Sequence, residues 1–164
     1  MGIIENMPSI EHENLSALGV KWLKRRGFPV IATNISSYGC LERADVIGFR
    51  STCSVIIESK ISRTDFLADS KKKHRTSDGI GLYRFYICPS NLIKIDEVPD
   101  KWGLLYVKKN KIIEIVCPKG NLWTSSGTNF PDWTKFQHKI NIEAERSILF
   151  SIARRLVNKK SLLK

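Results

Sequence analysis

The stretch Asp45-Val-Ile-Gly-Phe-Arg-Ser-Thr-Cys-Ser-Val-Ile-Ile-Glu-Ser-Lys60 decides the fold. Two apolar, β-rich runs flank a polar break at Arg50-Ser51-Thr52, a pattern that predicts two strands joined as a hairpin. Because side chains alternate along a strand, Glu58 and Lys60 are predicted to share one face, and Asp45 begins the neighbouring strand. Two carboxylates at a strand end suit Mg²⁺, and a lysine beside them can hold a water or a phosphate oxygen. These are the parts of a site for metal-assisted phosphodiester hydrolysis. An exposed acid with an ion pair on an edge strand would give the same pattern.

The composition favours one soluble domain with a polyanionic partner. A chain of 164 residues is long enough for one core, and we expect a single domain over residues 1–164. Its 27 Lys and Arg against 16 Asp and Glu give a net charge of +11, which favours nucleic acid as the partner. The four cysteines are widely spaced, which favours small buried thiols over a zinc site. No membrane span or signal sequence is predicted, so a cytoplasmic location is expected.

Residues 10–26 are predicted to form a helix, with Ser9 as its N-cap and Gly27 as its stop. Glu13, in the first turn, has two readings. It either complements the helix dipole or supplies a third carboxylate to the metal site. His12 is interpreted as a surface or capping histidine, since hard Mg²⁺ sites rarely use imidazole.

The hairpin leads into a second helix, opened by a capping box at Ser62-Arg63-Thr64-Asp65. This helix runs into the basic segment 71–75, which is either a solvated helix end or a surface that neutralises phosphates near the metal site. The residues predicted to contact nucleic acid are Arg63, Lys71, Lys72, Lys73, Arg75 and Arg84.

The remaining segments are predicted as a strand over 82–88, a loop over 96–103, and a hairpin over 104–116 turning at Lys109-Asn110. Residues 118–140 form an irregular flap whose tryptophans, Trp123 and Trp133, either cover the core or stack on bases. A C-terminal helix over 141–160 is expected to turn five apolar residues inward: Ile142, Leu149, Ile152, Ala153 and Leu156.

The order of these elements resembles the common core of the PD-(D/E)xK nuclease superfamily, and within it the small MmcB-like and phage-encoded nuclease-like proteins. The resemblance covers about residues 10–117, and its most specific part is the run from Glu58 to Asp69. Other resembling segments are His12-Glu13-x-Leu15, Lys21-Trp22-Leu23, Ala44-Asp45-Val46-Ile47-Gly48, Gly79-Ile80-Gly81 with Arg84-Phe85-Tyr86, and Trp102-Gly103-Leu104-Leu105. Ala44 stands where the family has proline.

The resemblance implies an α/β fold with a restriction-endonuclease-like core, a mixed central β-sheet flanked by helices. It implies that Asp45 and Glu58 ligate Mg²⁺ or Mn²⁺, with Glu13 as an added ligand, and that Lys60 orients the attacking water. The expected activity is DNA hydrolysis in a repair or phage setting. The alternative is a catalytically silent module on the same fold that binds nucleic acid or protein, and a homodimer or a host protein partner is compatible with either.

Overall fold

The fold comes from a computed structural model, which describes residues 9–36, 43–71 and 79–161. Six strands form one sheet in sequence order: β1 (Val30–Ser36), β2 (Arg43–Phe49), β3 (Ser54–Ser59), β4 (Tyr83–Pro89), β5 (Trp102–Lys108) and β6 (Lys111–Val116). The helices are α1 (Ile10–Arg25), α2 (Arg63–Ser70), α3 (Pro131–Thr134) and α4 (Ile142–Ser161). A short 3-10 helix covers Ile95–Glu97. The predicted α/β class with a mixed sheet flanked by helices is confirmed.

The centre of the sheet is parallel and its two edges are antiparallel. Strand β4 pairs in parallel with both β3 and β5, while β1–β2, β2–β3 and β5–β6 are antiparallel. All of β3 is buried, and so is β4 from Tyr83 to Cys88. Central parallel strands are covered on both faces, which explains why Val55, Ile56 and Ile57 are continuously apolar rather than alternating.

The two faces of the sheet carry different helices. On the first face, Trp22 and Leu23 of α1 pack with Val55 and Ile57 of β3. On the second face, Phe66 of α2 and Ile148 of α4 pack around Ile56. The sheet therefore separates α1 from α2 and α4.

Local signals placed most element boundaries correctly. The Ser9 hydroxyl accepts a hydrogen bond from the His12 N–H at the start of α1, and Gly27 ends that helix region with a φ of 82°. The Ser62 hydroxyl caps α2 by accepting from the Asp65 N–H. Lys109 and Asn110 have φ values of 50° and 57°, the left-handed geometry of a two-residue hairpin turn.

The segment after β6 covers the first face, as one of the two predicted alternatives stated. Trp123 and Trp133 are each only 2% exposed, so neither is available to stack on bases. The Trp123 ring makes edge-to-face contacts with Phe28 at 5.1 Å and Tyr83 at 5.3 Å between centroids. The flap is part of the core.

The predicted inward face of α4 is confirmed only for Ile152, which packs against the second face. The other four predicted residues, Ile142, Leu149, Ala153 and Leu156, are exposed, whereas Ala144, Glu145 and Ile148 are buried. Buried Glu145 fixes this rotation of the helix by accepting hydrogen bonds from the Ser54 hydroxyl and the Gly81 N–H.

The start of β5 also differs from prediction. Trp102 and Gly103 begin this strand, whereas they were predicted to end a loop. Gly103 is required there: a Cβ at this position would lie 2.2 Å from the Phe85 ring. The missing side chain lets the Phe85 ring on β4 pack directly against the β5 backbone.

Candidate functional site

The candidate site lies where strands β2 and β3 separate. Their pairing ends at Val46 and Ile57. Asp45 comes just before Val46 on β2, and Glu58 comes just after Ile57 on β3, so both lie immediately beyond the last pair. Beyond that point, the Ser59 N–H donates to Asp45 Oδ2 over 2.8 Å instead of to a strand carbonyl. The Glu58 side chain hydrogen-bonds the same carboxylate. The two predicted metal-binding carboxyls therefore meet.

The contact with Glu58 contributes to lowering the pKa of Asp45, after the larger effects of the hydrogen bonds from His12 and the Ser59 N–H. Glu58 is only 3% exposed, whereas the Asp45 side chain is 17% exposed. The pair is thus buried on one side and open to solvent on the other.

His12 on α1 is the third member of the cluster. Its Nε2 lies 3.3 Å from Asp45 Oδ2, and this hydrogen bond raises the pKa of His12 against the opposing effects of burial and of the Lys60 charge. Burial alone would raise the pKa of Asp45. The hydrogen bonds from His12 and the Ser59 N–H outweigh it and hold that pKa below its usual value. Asp45 is therefore ionised at neutral pH.

Helical spacing brings His12 to this position. Residues four apart lie on one face of a helix, and Ser16, one turn after His12, places its hydroxyl 2.8 Å from the Ser59 hydroxyl. Glu13 projects from the next position around the helix and is exposed. Within residues 9–36, 43–71 and 79–161, no group of three or more His, Cys, Asp or Glu side chains has the spacing of a metal site. The structure does not join Glu13 to the Asp45–Glu58 pair.

Lys60 is anchored on the other side of the site, where Lys60 Nζ lies 3.1 Å from Asp69 Oδ1 on α2. Asp69 is 1% exposed, and its second oxygen accepts from the Tyr86 hydroxyl over 2.8 Å. Lys60 remains near enough to His12 to lower that residue's pKa. The ammonium is thus fixed from α2, within electrostatic range of His12.

No role was predicted for Asp69 from the sequence, and His12 was interpreted as a surface or capping residue. A signal for Asp69 was present, since it lies three residues after buried Phe66 and so occupies the apolar face of α2. No local signal pointed from His12 to Asp45, because that contact exists only once α1 packs against the sheet.

The residues that were predicted to contact nucleic acid differ in their exposure and in their partners. Arg84 is 1% exposed and donates to the carbonyls of Gly81 and Lys139, so its predicted contact with phosphates is wrong. Arg63 is half-exposed but forms two hydrogen bonds of 2.6 Å with the Glu97 carboxylate, which lowers the pKa of Glu97 to about 2. Lys71 is exposed. The remaining three, Lys72, Lys73 and Arg75, lie outside the described residues.

Cys88 is a buried free thiol, as predicted, whereas Cys117, for which burial was also predicted, is a free thiol that is only partly buried. Cys53 is a further buried free thiol, and burial raises the pKa of all three to about 11. Protonated thiols of this kind are poor nucleophiles and poor metal ligands.

Comparison with known proteins supports the fold and says nothing about activity. No protein-family model matches the chain, and no curated protein resembles it significantly in sequence. A solved structure of a protein of unknown function from Silicibacter pomeroyi is similar, with a TM-score of 0.59, 21% identity, and coverage of 92% of this chain and 91% of that one. None of the helices in the described part of the chain is long and apolar enough to cross a bilayer. The chain thus shares an overall α/β fold with that bacterial protein.

Proposed function

We propose that this protein is a metal-dependent nuclease that hydrolyses phosphodiester bonds of DNA on a restriction-endonuclease-like core. The observation that carries the proposal is the meeting of Asp45 and Glu58 where β2 and β3 separate, with Lys60 beside them. The chain's net charge of +11 supports a phosphate-rich substrate.

The donor set fits a divalent cation. A cation held by Asp45 and Glu58 would have two carboxylate ligands, and the partly exposed side of Asp45 would leave room for water. Mg²⁺ or Mn²⁺ bound in this way is a Lewis acid that lowers the pKa of a bound water. Glu13 lines an open cavity of about 470 Å³ together with His12 and Ser16, and we assign it a flanking role at that opening.

The residues of the chain have distinct proposed tasks. Asp45 and Glu58 hold the cation, and Lys60 stabilises negative charge that develops on the phosphoryl oxygens. Asp69 holds the Lys60 ammonium, so little reorganisation is needed when charge develops. His12 orients the Asp45 carboxylate from the side of the cavity.

The test is cleavage of end-labelled single- and double-stranded DNA and RNA with Mg²⁺, with Mn²⁺ or with EDTA. We expect metal-dependent cleavage of DNA, and a loss of about 10²-fold or more in rate for Glu58→Gln and Lys60→Ala with binding retained. The matched control is Glu11→Gln, which changes an exposed acid in the first turn of α1, and this variant should cleave normally. Absence of metal-dependent cleavage by the wild-type protein would overturn the proposal.

A second candidate is a catalytically silent binding module on the same fold. It is favoured by the Lys60–Asp69 ion pair, which holds the ammonium on Asp69, and by the separation of Glu13 from the carboxyl pair. For such a module, Lys60→Ala and Glu58→Gln would leave nucleic-acid binding unchanged, and no substrate in the panel would be cut.

A further inference from the structure

A basic surface lies on α1, a different part of the chain from the basic segment 71–75 that the sequence singled out. A cavity of about 670 Å³ opens between α1 and the turn that joins β5 to β6. Its polar lining consists of Asn14, Lys21 and Arg25 from the helix and Asn110 and Lys111 from the turn. We call this cavity the α1 cleft.

The charge of the α1 cleft is of one sign. Its lining holds three cations and two amides and no carboxylate. In the part of the chain that the structure describes, Lys21, Arg25 and Lys111 form no ion pair. Three exposed cations around one concavity raise the local positive potential and attract an anion of matching size.

The hairpin turn adds to this charge in an unfavourable way. Lys108 and Lys111 are direct cross-strand partners, and like charges in that position destabilise a hairpin. Lys109 lies between them in the turn and is also exposed. An anion bound at the cleft would relieve this repulsion.

The α1 cleft adjoins the cavity beside His12 and Glu13, which shares two of its lining residues, Ala17 and Lys21. Along α1, the nine residue steps from His12 to Lys21 span roughly 14 Å, about the axial length of four phosphates on one strand of a duplex.

We propose that the α1 cleft binds the phosphate backbone of the nucleic acid that reaches Asp45, with Lys21, Arg25 and Lys111 as phosphate contacts. The path from cleft to carboxyl pair rests on the proposed nuclease function, whereas binding of nucleic acid at the cleft does not. Lysine and arginine side chains of this kind contact phosphates without reading sequence.

The experiment measures binding of fluorescein-labelled single-stranded and duplex DNA by anisotropy in EDTA, over a series of salt concentrations. The test variant combines Lys21→Gln, Arg25→Gln and Lys111→Gln. We expect weaker binding to both probes and a salt slope reduced by about 2 to 3, since each phosphate contact contributes roughly 0.7 to 0.9.

The matched control combines Arg146→Gln, Arg155→Gln and Lys159→Gln on α4, exposed residues across the sheet with the same total charge change. An equal loss in this control would show a net-charge effect and overturn the proposal, as would unchanged binding in the cleft variant. Thermal unfolding of both variants checks the fold, which these exposed substitutions should leave intact.

Two further outcomes separate this proposal from the nuclease function. Binding that depends on the cleft in a protein that cuts no substrate would support the cleft and reject the nuclease. Cleft-dependent binding of poly-glutamate as tight as that of DNA would assign an acidic polypeptide as the ligand and overturn nucleic acid.

Discussion

Lys60 Nζ lies 3.1 Å from Asp69 Oδ1, and this ion pair joins the end of β3 to α2 beside the carboxyl pair. Asp69 is 1% exposed and also accepts from the Tyr86 hydroxyl, so its charge is compensated from two elements. Removing one partner of a buried ion pair leaves the other charge uncompensated, which costs more than the net gain from the intact pair.

Asp69→Asn should therefore lower the free energy of unfolding by about 3 kcal/mol, at the low end of the range for a broken buried pair because Asn keeps a polar partner for Tyr86. Urea unfolding measures this change. Asp132→Asn, which removes the exposed partner of Lys135, is the matched control and should shift the unfolding free energy by less than about 0.5 kcal/mol. Equal effects of the two substitutions would show that burial of Asp69 does not matter.

The His12–Asp45 pair predicts a pH-dependent stability. The folded-state pKa of Asp45 lies below its usual 3.8, so its contribution is present above that value and is lost as the pH falls through the folded pKa. The folded-state pKa of His12 lies above its usual 6.5, so its contribution is complete below 6.5 and is lost as the pH rises through the folded value.

The difference in unfolding free energy between wild type and His12→Gln should thus be largest between about pH 4 and 6.5 and shrink above that range. Urea unfolding in EDTA at each pH measures it. The charges of Lys60 and Asp65 also act on His12, where Lys60 lowers and Asp65 raises its pKa. A difference that grew between pH 7 and 9 would contradict the assigned pairing.

Metal binding predicts a stability increase that depends on the two carboxyls. If the cation binds at Asp45 and Glu58 with a dissociation constant of about 1 mM, 10 mM Mg²⁺ adds roughly 1.4 kcal/mol to the unfolding free energy. Calorimetry with and without Mg²⁺ should show this increase for wild type and not for Asp45→Asn or Glu58→Gln. An increase that survives both substitutions would locate the cation elsewhere.

The hydrogen bonds of Glu145 are expected to hold α4 against the sheet and so to contribute to the free energy of unfolding. Glu145 is buried and accepts from the Ser54 hydroxyl and the Gly81 N–H at 2.5 and 2.8 Å. Glu145→Ala leaves these donors without that acceptor and should lower the unfolding free energy by about 2 to 3 kcal/mol. Glu143→Ala, two residues earlier and exposed, is the control and should change it by less than about 0.5 kcal/mol.

The sequence by itself determined the features that short-range physics controls. The hairpin of β2 and β3, the serine caps of α1 and α2, the stop at Gly27 and the turn at Lys109-Asn110 all depend on contacts within a few residues. Strand alternation likewise predicted that Glu58 and Lys60 face one side, and Lys60 does reach α2 on the face that holds Ile56.

Only the tertiary structure decided which polar groups meet across the chain. His12 reaches Asp45, Trp123 packs on Tyr83, and Glu145 accepts hydrogen bonds from Ser54 and Gly81. These contacts join residues that are 33 to 91 positions apart in the sequence. Arg84 is drawn inside because β4 is covered on both faces, and Ile142, Leu149 and Leu156 of α4 lie outward because Glu145 fixes the rotation of the helix. Charge and periodicity are properties of a segment, whereas burial and pairing depend on the elements that fold against it.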